Sequence, residues 1–188
     1  WTAADLLPPD LALTLADLPT YVFTPHPPAT TVNQLRDDIV SVIRGCELGT
    51  TSATCVDRSW KLGDLFHSDP VVVPGPPSPL PGAGNAQYRI NFKTRDRRIM
   101  VGANDGFLHA FDAGAWNATA TPPAYGTGTG DEVFGFMPYS ARVKAKELPR
   151  DSGTRDFYTV DGSPRVSDAW FYTSPTVNSQ LVDGSEWR

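Results

Sequence analysis

The sequence predicts a mainly β chain with one or two short helices, and three observations carry that expectation. Residues Arg97 to Ala113 alternate apolar and polar positions on both sides of an Asp-Gly turn. The 18 prolines and 16 glycines approach a fifth of the 188 residues, a turn-rich composition that stops short of low complexity. Short apolar runs recur between turn residues at the spacing of strands in a sandwich, barrel or propeller.

The hairpin is the most specific of the three. Before the turn, Ile99, Val101 and Ala103 alternate with Arg98, Met100 and Gly102; after it, Leu108 and Ala110 alternate with Phe107, His109 and Phe111. Asp105-Gly106 between them predicts a two-residue type I′ turn, because Asp and Gly accept the positive φ that both positions need. A hairpin that leaves through an Ala-rich corner ending in Asp112 has the form of a β-propeller blade.

In chain order, residues 1–32 read as an extended Pro-rich connector, since Pro8, Pro9, Pro19, Pro25, Pro27 and Pro28 interrupt any helix. A helix is predicted over Asn33–Arg44 within the segment 33–45 that leads into the blades. Asn33 is its cap, Leu35, Ile39, Val42 and Ile43 make its apolar face, and Gly45 supplies a left-handed stop. Cys46 and Cys55 bracket a polar segment that a short disulfide can close. A disulfide implies an oxidising compartment; two unpaired thiols are the alternative. Val71–Val73 predicts a buried strand entered through Pro70, followed by a surface loop over 74–85. After the hairpin come a Gly-, Thr- and Pro-rich insertion at 114–130, a strand at Glu132–Met137 and a short helix over Ser140–Leu148, ending at Pro149. Two further strands, Phe157–Val160 and Arg165–Tyr172, flank the turn Asp161-Gly162-Ser163-Pro164.

A formal net charge of -5 argues against nucleic acid and anionic membrane as partners, because both select clusters of Lys and Arg. The run Lys93, Arg95, Arg97, Arg98 is interrupted by Asp96 and reads as a solvated turn. No apolar stretch reaches the roughly 20 residues of a transmembrane helix. The chain opens on Trp1 without Met or signal peptide and closes on Trp187-Arg188 without a stop signal, as a piece of a larger protein does.

Single residues divide into structural roles. His67-Ser68-Asp69 brings three triad residue types together, but neighbours in an extended segment point to opposite faces, so His67 and Ser68 are expected to bond a nearby turn. His109 is expected on the exposed or inter-blade side of its strand. Asp64, Asp112 and Asp161 are expected to accept backbone N–H groups at corners, with Asn104, Asp105, Gly106 and Gly162 completing the turn motifs. Trp60, Trp116, Trp170 and Trp187 read as packing or surface anchors. Asn117-Ala118-Thr119 fits a glycosylation acceptor, which a bacterial source would make incidental. No residue is assigned a catalytic or cofactor-binding role. No metal ligand is assigned either: His26 and His67 are lone, lacking zinc spacing, and Asn104 with Asp105 cannot supply the six to eight oxygens of calcium.

An ordered set of blocks carries a family resemblance: Ile43-Arg44-Gly45, Leu62 to Val71 (LGDLFHSDPV), Val101 to Ala113 (VGANDGFLHAFDA), Phe136-Met137-Pro138 and Val160 to Pro164 (VDGSP). From about Asn33 onward the chain resembles the PilC/PilY family of type IV pilus tip-associated proteins. The resemblance implies that 46–188 are the opening blades of a C-terminal propeller. At about 40 to 50 residues per blade, the chain has room for roughly three of the four or more that a closed ring needs. Other segments of the parent chain would then cover the open edges, and any calcium would lie elsewhere in that parent. It further implies an extracellular location, at the pilus tip or outer-membrane surface, with roles in pilus assembly, twitching motility and adhesion. Minor pilins or the pilus tip, and a host or abiotic surface, are the implied partners. Residues 114–126 and the Pro-rich 74–85 loop depart from the family pattern, and partner specificity is expected in the loops 74–87 and 114–130. The hairpin also resembles the repeat of pyrroloquinoline-quinone dehydrogenases. Those quinoproteins set an adjacent-cysteine disulfide, a Trp platform and calcium against the cofactor, whereas Cys46 and Cys55 stand apart. A generic extracellular propeller binding module is the remaining alternative.

Overall fold

A computed structural model describes residues 7–21, 23, 25–50, 55–76, 79–81, 84–148, 158–169 and 171. The protein is mainly β with a few short helices. In chain order the elements are α1 (Val32–Ile43), β1 (Cys46–Leu48), β2 (Cys55–Asp57), β3 (Val71–Val73), α2 (Asn85–Phe92), β4 (Arg98–Gly102), β5 (Leu108–Asp112), β6 (Trp116–Asn117), β7 (Ala124–Tyr125), β8 (Glu132–Phe136) and α3 (Tyr139–Ala145). Strands β3-β4-β5-β8 form one four-stranded sheet, and β1-β2 and β6-β7 form two-stranded antiparallel ribbons. Among the described residues there is no closed barrel or propeller, and residues 158–169 carry no strand where Phe157–Val160 and Arg165–Tyr172 were expected. Trp1, Phe157, Trp170 and Trp187 lie outside the described residues. The chain falls into two compact units, one drawn from 1–68, 102–108 and 136–162, the other from 69–101, 109–135 and 163–188.

The first unit holds the hydrophobic core. Helix α1 begins one residue earlier than expected because Thr31, not Asn33, caps it. The Thr31 hydroxyl accepts the Gln34 N–H at 3.2 Å while the Gln34 side-chain Oε1 accepts from the Thr31 N–H, a reciprocal capping box. Leu35, Ile39, Val40 and Ile43 bury one face of the helix, and Gly45 follows at φ 95°. Against that face pack Met137, Ala141, Ala145 and Leu148 around α3, together with Leu11, Leu13 and Tyr21. The Pro-rich N-terminal residues are therefore not an extended connector. Their 3-10 turns at Pro8–Leu11 and Leu15–Asp17 place Leu11 fully inside, and the Tyr21 hydroxyl donates to Glu147 at 2.6 Å. The prolines do exclude α-helix, but a 3-10 turn opening on Pro8-Pro9 needs no N–H from them.

The turn Ala103–Phe107 also belongs to this unit. Gly106 donates to the Ala103 carbonyl at 3.2 Å and Ala103 to that of Phe107 at 2.9 Å; Gly106 alone of the loop has positive φ, at 98°. This is a three-residue loop closed by a left-handed glycine, not the expected type I′ turn. The Asp105 carboxylate explains the choice: it accepts the Gly63 N–H at 2.8 Å and the Phe107 N–H at 3.1 Å, holding Asp105 out of the left-handed region.

In the second unit, Arg97 turns both its N–H and its carbonyl toward Gly114 and Ala113 at the end of β5. Alternation then gives Arg98 and Met100 to β3, where they face Val73 and Val71, so the backbone N–H and carbonyl of Val72 point outward. The strand is a sheet edge with Val72 exposed, not the buried strand expected. Pro70 and Pro74 flank it with no N–H to offer, and Arg95 Nε donates to the Pro74 carbonyl at 2.7 Å. The loop after it ends sooner than expected, because α2 starts at Asn85 behind a left-handed Gly84. Tyr88 and Asn85 on α2 are buried.

Candidate functional site

The two loops singled out for partner recognition have different characters. Residues 114–130 fold into a fastened hairpin in which Trp116 faces Tyr125 and Asn117 faces Ala124. Asp112 grips its base. One carboxylate oxygen accepts the Thr129 N–H at 2.9 Å, the other accepts from Arg98 at 2.7 Å, and the Asp112 backbone pairs with Gly130 and Asp131. Thr129 above all, then Gly114 and Arg98, stabilise the ionised form and hold the Asp112 pKa below the usual carboxylate range. Glycines allow the close approach: a Cβ on Gly114, which sits at φ 107°, would fall 2.1 Å from the Gly126 carbonyl oxygen. Farther out, the Arg97 guanidinium lies over the Tyr125 ring at 4.5 Å and donates to the Gly126 carbonyl, while the Tyr125 hydroxyl donates to the Arg95 carbonyl at 3.0 Å. Trp116 packs edge-on to Tyr125 at 5.1 Å, and the tip closes on Asn117, whose side-chain Oδ1 accepts from Thr119 and Ala120.

Residues 74–87 border a cleft of about 320 Å³ lined by Val71, Val72, Val73, Leu80 and Val166. Arg95 and Asp168 are among its polar lining, and Asp168 accepts from Arg95 at 3.1 Å and from the buried Tyr88 hydroxyl behind them at 3.0 Å. Burial, reinforced by Asp168, raises the Tyr88 pKa. The Arg95, Arg97 and Arg98 run is thus not a solvated turn. Each guanidinium holds a different part of this unit, Arg98 bridging both Asp96 and Asp112.

The remaining predicted residues are placed as follows. Asp161 accepts the His67 backbone N–H at 3.1 Å and its Nδ1–H at 2.5 Å; the side-chain bond is the main reason its pKa lies low. Ser68 accepts the Gly102 N–H at 2.8 Å, so His67-Ser68-Asp69 forms no relay. His67 instead shares an exposed aromatic cluster with Phe66 and Tyr158, whose rings stack at 5.5 Å. Asp64 holds its corner through its backbone carbonyl, which accepts the Asn104 N–H at 3.0 Å, and the Asn104 side chain accepts from Thr159. Gly162 has no positive φ and nothing within 4 Å of its missing Cβ, so that turn does not require glycine. His109 is buried, not exposed, and pairs with Glu132 across the sheet at 2.7 Å. Cys46 and Cys55 are joined in a disulfide with Cα atoms 5.1 Å apart.

Several holding residues escaped the sequence reading. Gly63 is one: a Cβ there would sit 2.4 Å from the Asp105 nitrogen, a contact 42 residues away that no local pattern reports. Arg97, Tyr125 and Thr129 are others, and the His26–Asp38 pair is a further case. Among the described residues, no group of three or more His, Cys, Asp or Glu is placed to hold a metal ion, and no helix is long and apolar enough to cross a membrane.

Comparison with known proteins gives a consistent set of relatives. The chain is 33% identical over 144 residues, 71% of its length, to the type IV pilus biogenesis factor PilY1 of Pseudomonas aeruginosa strain PAO1. It is 34% identical over 124 residues to PilY1 of strain UCBPP-PA14, and 31% identical over 170 residues, 84% of the chain, to a PilY1 homolog of Xylella fastidiosa strain Temecula1. The matched region covers 11%, 9% and 10% of those proteins, so the chain spans about a tenth of the length of the curated relatives it matches. No family model and no solved structure matches it.

Proposed function

We propose, for a chain that belongs to the PilC/PilY family, that this segment is a non-enzymatic recognition module of a type IV pilus biogenesis factor. Its residues 46–188 form the opening blades of a propeller completed by other parts of the parent protein, with 1–32 and the helix segment 33–45 leading into them. The single observation that carries the reading is the hairpin at 114–130, held at its base by Asp112, along its side by Arg97 and Tyr125, and at its tip by Asn117. A loop fastened this way meets a partner without an ordering cost, the usual route by which a rigid scaffold presents a specific surface. The sheet β3-β4-β5-β8 has the strand count of one blade and supports that part of the proposal. The Cys46–Cys55 disulfide supports export to an oxidising compartment, and from there a place at the pilus tip or outer-membrane surface. Minor pilins are the proposed partners in assembly and twitching, and a host or abiotic surface in adhesion.

The test replaces residues 117–124 by a short Gly-Ser turn in the parent protein. Folding and disulfide formation are expected to persist, while capture of purified minor pilins weakens roughly tenfold, the effect of about 1.4 kcal/mol of lost contact. Unchanged capture and unchanged twitching would remove the hairpin from recognition. Quinone-dependent oxidation of an alcohol or sugar by the purified protein would replace the binding role with the dehydrogenase one.

A further inference from the structure

We propose that the cleft along β3 receives one short extended peptide segment, clamped by the backbone of Val72 and seated by a neutral apolar side chain. Successive strand residues point to opposite faces, so a cleft that Val71, Val72 and Val73 all line runs along an edge of the strand. β4 occupies one edge, which leaves the cleft on the other, where the Val72 N–H and carbonyl point outward. Leu80 and Val166 add apolar walls, and both are exposed, as Val72 is. A volume of about 320 Å³ lies at the lower end of ligand pockets, the scale of a short segment and not of a folded element.

The edge itself dictates the chemistry of the occupant. Strand alternation gives positions 70, 72 and 74 the outward side. Pro70 and Pro74 have no N–H, and the Pro74 carbonyl already accepts from Arg95 Nε at 2.7 Å. Val72 is thus the rung of this edge that offers both a donor and an acceptor. In an antiparallel pair such a residue exchanges both bonds with one residue opposite, so an extended peptide supplies the matching acceptor and donor at the right spacing. The apolar walls select what that segment carries. At the polar end Arg95 and Asp168 pair at 3.1 Å and cancel in charge, so a neutral apolar side chain fits, whereas a charged one would give up its water without a partner. The prolines that stop the edge from extending into another sheet therefore leave one rung open, and residues beyond the paired one find no further donor on β3. This site stands on β3 and its neighbours, apart from the hairpin at 114–130 on which the proposed recognition rests.

The experiment titrates the full chain, disulfide intact, with a capped hexapeptide of alternating threonine and valine and follows the backbone amides by ¹⁵N NMR. Saturable shifts are expected at Val72, Val73, Leu80 and Val166. Two N-methylated peptides, one modified at its valines and the other at its threonines, separate backbone pairing from apolar contact. N–H groups of alternate residues face opposite ways, so one version should bind roughly tenfold more weakly and the other nearly as the parent peptide does, the expected result of leaving one Val72 group without its partner. Val72→Pro removes the outward N–H and leaves the ladder to β4 intact, since Val72 makes no bond to that strand; binding should weaken by a similar factor with an unchanged thermal midpoint. If that variant fails to fold, the N-methylated pair on the parent chain carries the same test. The proposal is overturned if the peptide does not bind at millimolar concentration, if both N-methylated versions bind as the parent peptide does, or if the β3 amides shift with protein concentration alone, which would make a second copy of the chain the occupant.

Discussion

Two glycines, Gly63 and Gly162, behave oppositely once their surroundings are known. A Cβ at Gly63 would strike the Asp105 backbone nitrogen at 2.4 Å, and backbone cannot swing aside as a side-chain tip can. Gly63→Ala is therefore expected to lose roughly 1–3 kcal/mol of stability, the usual cost of forced overpacking. Gly162 has neither positive φ nor a neighbour within 4 Å, so Gly162→Ala should stay within about 0.5 kcal/mol of the parent. Chemical denaturation of both variants checks the pair, and equal losses would show that the Asp161–Ser163 turn depends on its glycine after all. The same contrast runs through the aspartates. Asp105, Asp112 and Asp161 anchor backbone through their carboxylates, whereas Asp64 anchors through its carbonyl, where any residue could serve.

Among the elements, β3 shows how a sheet edge is kept from pairing with another chain. Val72 is the outward rung, and Pro70 and Pro74 remove the N–H groups that would extend it. Replacing both prolines by threonine should raise concentration-dependent self-association, measured by sedimentation velocity, with no loss of thermal stability. A monomer at every concentration would mean that the edge is guarded by something other than its prolines. The β1-β2 ribbon leans on the disulfide, since its strands are three residues each and β2 is exposed throughout. Closing a loop of this length is worth about 2–3 kcal/mol by chain entropy. Reduction should cost that much in stability while leaving the helical signal of α1 intact, because neither cysteine is a member of the buried cluster around Leu35 and Ile39.

For the whole molecule, the titrating groups bound the range of pH in which it is most stable. Asp112 and Asp161 have lowered pKa values in the folded chain, so their contribution is full above the usual carboxylate range and is lost as pH falls through the lowered values. Asp38 is raised, mainly by burial, so its contribution is present at low pH and is lost as pH rises through the raised value. Thermal midpoints should therefore fall on the acid side through Asp112 and Asp161, and Asp112→Asn should flatten that limb; an unchanged limb would assign acid sensitivity to other groups. Much of the architecture was legible because it is local. The alternation around Asp105-Gly106, the helical spacing of Leu35, Ile39 and Ile43 and the short interval between Cys46 and Cys55 each follow from residues within one element or loop. Helix α2 was not legible, since Gly84 gives it no side-chain cap and its buried Tyr88 donates to Asp168, 80 residues later. The burial of Leu11 and Tyr21, the guanidinium of Arg97 over Tyr125 and the paired acceptors on His26 likewise join residues far apart in the chain. Backbone preference acts between neighbours and leaves its mark in sequence spacing. Burial and electrostatic pairing act through space, and the partners they select exist only after the chain has folded.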